Sequence, residues 1–185
     1  MKKSLVITLV FLFVVGLFTT VLAAEKFEVK GQGSADKNYI NYFAKQKPFN
    51  DGASTITQTV GADGALTIKY LLQPKGWLGA TCDQFQEDWS AFTGLQFKVA
   101  GGTNAKIRLE LYDANGVSYE AIFIDDSTKG KLVAIPFSSF KARTDYQPAG
   151  VDPDQPFSLA PVKTLNISPL EGKGTIIFSE MRLYK

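Results

Sequence analysis

Apolar residues recur along this chain with a period of two rather than 3.6. Residues 65–72 read ALTIKYLL, which sets Leu66, Ile68, Tyr70 and Leu72 on one face. Residues 105–112 read AKIRLELY. Ile107, Leu109 and Leu111 fall on one side, and Lys106, Arg108, Glu110 and Tyr112 on the other. Residues 117–124 (VSYEAIFI) and 174–184 (GTIIFSEMRLY) follow the same rule. Shorter strand candidates are 27–30, 54–60, 95–99, 131–135 and 162–167. Turn signals separate them: Ala62-Asp63-Gly64, Gly101-Gly102-Thr103-Asn104, Lys129-Gly130 and Glu171-Gly172-Lys173-Gly174. Asn115-Gly116 between two alternating runs predicts a hairpin. No stretch reads as a long amphipathic helix. Eight or nine short strands with regular turns predict a single all-β domain, an antiparallel β-sandwich of jelly-roll type.

The first 23 residues do not fit that pattern. Lys2 and Lys3 precede an apolar run from Leu5 to Phe18, and Val21-Leu22-Ala23 supplies small residues at a cleavage point. This predicts a bacterial-type signal peptide over 1–23 and a domain over 24–185, placed in the periplasm, on the cell surface or outside the cell. A retained anchor is the alternative, since Leu5 to Ala24 is just long enough to span a bilayer. Removing Lys2 and Lys3 from the 20 Lys and Arg leaves 18 bases against 18 Asp and Glu. A neutral domain has no basic surplus for nucleic acid or an anionic membrane.

The composition, 45% hydrophobic and 12% aromatic, is that of a folded domain rather than a disordered chain. Histidine is absent, which excludes a Ser-His-Asp triad, a Cys-His pair and His-ligated zinc. One cysteine, Cys82, excludes an intrachain disulfide and reads as a small buried side chain.

The densest polar and aromatic stretch is IPFSSFKARTDYQPAGVDPD, residues 135–154. Pro136 ends any regular central strand. Arg143 and Asp145 are two apart, so on extended chain they project to one side and can pair, with Tyr146 adding a ring. Two readings stay open: a surface salt bridge with Tyr146 packed at a corner, or fixed donors and acceptors facing a ligand. Trp89, just before a strand in an Asp-Trp-Ser turn, reads as core, and Tyr112 and Tyr119 are candidates for a cleft. Sugars need both a flat apolar ring and fixed polar partners.

The run IPFSSFKARTDYQPAGVD resembles the signature of family-11 carbohydrate-binding modules of bacterial cellulases. Asp88-Trp89-Ser90 with the strand Leu95–Val99, Gly76-Trp77-Leu78-Gly79 and Phe27-Glu28 are similar to further family segments, so the resemblance spans roughly 27–185. It implies a galactose-binding-like jelly roll that binds β-1,3-1,4-mixed-linked glucan or cellooligosaccharide in a concave sheet-face cleft, without catalysis. Carried over by position, Arg143, Asp145 and Tyr146 fall on sugar-contacting residues, and Trp77 replaces a stacking tyrosine. Pro169 stands where the family has another stacking tyrosine, and Lys163 where it has an aspartate. The family also carries structural calcium. Glu28 matches one ligand region, while Ser179, beside Glu180, replaces the C-terminal aspartate. The resemblance therefore allows a structural Ca2+ without requiring any cofactor. It implies a monomer whose partners are a β-glucan and a glycoside hydrolase or transporter.

Two other readings compete. A small glycanase needs two carboxylates about 5–5.5 or 6.5–9.5 Å apart, and Asp145 with Glu110 are the candidates. Pairing Asp145 with Arg143 would lower its pKa and make it a poor acid. A secreted interaction or assembly domain is the other, since the Asp-Trp turn and the Ile-Pro-Phe-Ser-Ser-Phe run are also similar to the family that assembles respiratory complex I.

Overall fold

Strands that bury every second residue need a partner surface, and here two sheets supply it to each other. The computed structural model describes residues 27–82 and 85–185, so the expected signal peptide lies outside the described residues. In chain order the strands are β1 (Gly31–Gln32), β2 (Phe49–Asn50), β3 (Thr55–Val60), β4 (Leu66–Leu71), β5 (Leu78–Cys82), β6 (Glu87–Asp88) and β7 (Gly94–Ala100). They continue with β8 (Lys106–Tyr112), β9 (Ser118–Ile124), β10 (Lys131–Pro136), β11 (Lys141–Ala142), β12 (Thr164–Pro169) and β13 (Lys173–Tyr184). Among the described residues helix is confined to one turn at Ile40–Phe43 and a 3-10 turn at Phe137–Ser139.

One sheet runs β10-β7-β13-β4-β3, the other β11-β9-β8-β12-β5-β2, and β1 pairs with β6 apart from both. Every pairing within the two main sheets is antiparallel. The inward residues of both form one core. Phe97 of β7 meets Phe123 of β9 across the layers at 5.2 Å between ring centroids and Phe178 of β13 at 5.5 Å. Trp89 is fully buried, stacked on Phe85 and Phe137.

Asn115-Gly116 does turn β8 into β9, with Gly116 at φ 78°. Pro136 ends β10, which pairs only with β7 and is an edge strand, as a proline without an N–H requires. Three differences from the sequence reading stand out. Residues 27–30 are not a strand, and the N-terminal pairing falls on β1 instead. β5 was not anticipated, because LGATC buries both faces and shows no alternation. In β13 the inward phase changes from Ile176 and Phe178 to Met181 and Leu183, because a bulge between Ser179 and Arg182 adds a residue, with Glu180 at φ 55°.

The outer face of the six-stranded sheet positions the site. Its register sets three cross-strand rows. Thr164, Tyr112 and Ser118 form the first, Asn166, Glu110 and Glu120 the second, and Ser168, Arg108 and Ile122 the third. All but Ile122 are polar or amphipathic, yet Asn166, Ser168, Glu110 and Ser118 are buried. A polar sheet face that is nevertheless shielded from water needs cover, and chain from outside the sheet gives it.

Candidate functional site

That cover comes from two sides. The loop 143–151 folds over β8 and β9, and the β2–β5 end brings Phe49 and Trp77. Together with Lys163–Leu170 they enclose a groove of about 1190 Å³. The loop is held by Gln147, whose amide imitates a strand partner. Its Oε1 accepts from Ser118 N (2.9 Å), and its Nε2 donates to Ser118 O and Arg143 O (both 2.9 Å). Arg143 N donates to Ser118 O at 2.9 Å, so the loop starts as an extension of β11.

The groove floor is an ionic web. Glu110, 2% exposed, accepts from Ser118 Oγ at 2.6 Å, from Asn166 Nδ2 at 2.8 Å and from Arg143 Nη1. Arg143 also grips Asp145 in two-pronged fashion, Nε to Oδ1 at 3.0 Å and Nη2 to Oδ2 at 3.1 Å. Arg108 Nη2 reaches the same Oδ2 at 3.0 Å, and its Nε lies 2.5 Å from Glu120 Oε2 as an ion pair without hydrogen-bond alignment. The guanidinium of Arg143 sits 5.1 Å from the Tyr146 ring centroid and fixes that ring's place.

These contacts set the protonation states. The Arg143 hydrogen bonds pull the Asp145 carboxyl down to about 2, against the opposing effect of partial burial, with Arg108 adding to the pull. Burial would lower the Arg143 pKa, but Asp145 and Glu110 outweigh it and keep the guanidinium charged. Burial, followed by the Glu110 charge, pushes the Tyr112 hydroxyl up and keeps it a donor. Because the Asp145 pKa is depressed, its stabilisation is full above its ordinary value near 4 and is lost as pH falls towards 2. The melting-temperature gap between the protein and Asp145→Asn should therefore close between pH 4 and pH 2. With the Asp145 side chain 54% exposed, the gap corresponds to less than about 1 kcal/mol. A gap unchanged across that range would show that Asp145 carries no such linkage.

At the β5 end, a Cβ on Gly79 would collide with the Phe49 ring and Ser168 Oγ, so glycine lets Phe49 lie on the sheet. Trp77 stands beside it at 6.1 Å between centroids and stays 56% exposed. Its backbone is tied to Asp51 in both directions: Asp51 N donates to Trp77 O at 3.1 Å, and Trp77 N to Asp51 Oδ2 at 3.2 Å. Tyr146, across the groove, is 48% exposed. Two solvent-facing rings thus flank a floor of fixed donors and acceptors.

Comparison with known proteins bears on this geometry. The family described as "Carbohydrate binding domain (family 11)" matches residues 23–185. The chain belongs to that family. Among solved structures, the family 11 carbohydrate-binding module from Clostridium thermocellum in complex with a β-1,3-1,4-mixed-linked tetrasaccharide is similar. Its TM-score is 0.66 at 22% identity, over 82% of this chain and 92% of that one. The family 11 module of the cellulosomal cellulase Lic26A-Cel5E from Clostridium thermocellum gives a TM-score of 0.63 at 22% identity, over 74% and 85% of the two chains. Endoglucanase H of Acetivibrio thermocellus is 32% identical over 111 residues, 55% of this chain. The chain spans only 12% of that curated relative.

Within this module, Trp77, Arg143, Asp145, Tyr146 and Tyr112 come together around the groove. Tyr119 does not, and its assignment to the cleft is corrected. It alternates with Ser118 and Glu120 on β9, so it points to the core, 6% exposed. There its ring packs 4.3 Å from Phe157 and its hydroxyl donates to Gln155 O at 2.9 Å. Lys163 and Pro169 both line the groove. Residues that the sequence reading did not place in the binding site are Arg108, Glu110, Asn166, Gln147 and Phe49. The polar phase of AKIRLELY pointed to Arg108 and Glu110. Nothing in β12 pointed to Asn166. Among the described residues no group of three Asp, Glu, Cys or His side chains is placed to hold a metal ion, and Glu180 is engaged by Lys98 Nζ at 2.7 Å.

Proposed function

We propose that this module binds β-linked glucan, mixed-linked β-1,3-1,4-glucan or cellooligosaccharide, without cleaving it. The observation that carries the reading is the groove itself, where exposed rings of Trp77 and Tyr146 flank polar rows locked in place before any ligand arrives. The rings offer apolar faces to pyranose rings, and the rows offer hydroxyl partners. Asn166 helps to lock those rows: its amide nitrogen donates to the Glu110 carboxylate, which fixes the amide's orientation.

The same web argues against hydrolysis. A glycosidase needs a carboxyl that keeps its proton near neutrality. Asp145, near 2, is ionised, and Glu110 is saturated by three donors. A place outside the cell beside a glycoside hydrolase or a sugar transporter fits the apolar leader, and the likeness to a segment of endoglucanase H supports the hydrolase. Affinity electrophoresis tests the function. Migration should slow in gels with barley β-glucan and not in gels with mannan. An open, wet groove suggests a Kd of roughly 10–100 μM, about −5.5 to −7 kcal/mol. Equal mobility with and without β-glucan would refute the proposal.

A further inference from the structure

The charges of the groove divide into a closed set and a solitary one. Arg108, Arg143, Glu110, Glu120 and Asp145 pair among themselves. Lys163 lines the same groove, and among the described residues no carboxylate lies within ion-pairing distance of it. Its Nζ sits 4.0 Å above the Phe27 ring centroid, and its backbone N–H is fixed on Tyr112 O at 3.0 Å. Two acids of the adjoining loops are committed elsewhere. Asp113 is buried among backbone donors, and Asp152 accepts from Gln155 Nε2. The ammonium is therefore held in place, and no carboxylate among the described residues neutralises it.

The web carries three carboxylates against two guanidinium groups, one negative charge in surplus, and its exposed member is Asp145. Lys163 lies three residues along the chain from Asn166, the neighbour of Glu110. That is about 10 Å on extended chain. One end of the groove thus repels an anion while the other attracts it.

We propose that the groove accepts an acidic glucan, its carboxylate-bearing sugar (a uronate) seated against Lys163 and Phe27. This deepens, and rests on, the reading of the groove as a glucan site. The Phe27 ring holds the ammonium in place, and the sugar's carboxylate meets that ammonium.

Calorimetric titration of the protein with cellotetraose and with cellotetraose carrying one terminal glucuronate tests this. At 0.15 M salt, where charges more than about 8 Å apart are largely screened, the acidic sugar should bind about fivefold more tightly, the range of a partly exposed ion pair. The preference should vanish in Lys163→Gln and at 0.5 M NaCl, and persist in Lys163→Arg. Equal affinities in the unaltered protein, or a preference that survives Lys163→Gln, would overturn the proposal while leaving glucan binding in place. Binding of neither sugar would overturn glucan binding, and this inference with it.

Discussion

Trp77→Ala and Tyr146→Ala should each weaken β-glucan binding by about tenfold or more while the domain stays folded. Both rings are half exposed in the free protein, so truncation removes little core contact and leaves no cavity. What is lost is the flat apolar surface against which a pyranose ring can lie. A tenfold change corresponds to about 1.4 kcal/mol, within the reach of one ring's area burial and its ring-face contact. The two variants should differ in a second respect. Tyr146 is stacked under Arg143, so its removal also loosens the guanidinium that orders Asp145. Trp77 touches no member of the web, and Trp77→Ala should leave the Asp145 titration where it is. Titration with barley β-glucan oligosaccharides, alongside urea denaturation for stability, separates binding from folding. Near-native affinity in both variants would remove the groove from consideration as the glucan site.

The sandwich was legible because most strands bury a single face. Residues 105–112 announced their register, their core face and, by subtraction, a polar face that became the groove floor. The information failed where alternation failed. β5 packs on both faces and reads as an undifferentiated apolar run. In β12, Asn166 and Ser168 are as buried as their apolar neighbours, because the groove walls cover the outer face. The cleft residues split along the same line. Arg143, Asp145 and Tyr146 lie close in sequence, so local spacing indicated that they pair, and the resemblance to family-11 modules indicated that they face a cleft. Glu110, Asn166 and Arg143 meet only through the β12-β8-β9 order, which no local pattern encodes. Tyr119 shows the limit of residue type as a guide. An aromatic ring beside polar residues on a strand goes to the core or the cleft according to parity alone. Ser118 and Glu120 took the outer phase, which left Tyr119 the inner one.

Arg143→Ala should cost about 3–5 kcal/mol of stability, a larger effect than loss of either flanking ring. Glu110 is buried, and without Arg143 its charge keeps only the two neutral donors, Ser118 Oγ and Asn166 Nδ2. An uncompensated buried charge is penalised on that scale. Asp145 would at the same time lose its two-pronged partner, though Arg108 still reaches it at 3.0 Å. The test is a double-mutant cycle with Glu110→Gln, which removes the charge but keeps nearly the same shape and an amide oxygen that still accepts from Ser118. If the penalty is the stranded carboxylate, adding Glu110→Gln to Arg143→Ala should recover more than half of the lost stability in urea denaturation. Binding should not recover with it, because the guanidinium that orders Asp145 and stacks over Tyr146 is still missing. Additive losses in the double variant would mean that Glu110 and Arg143 are energetically independent, and the pairing could not then be what pre-sets the groove.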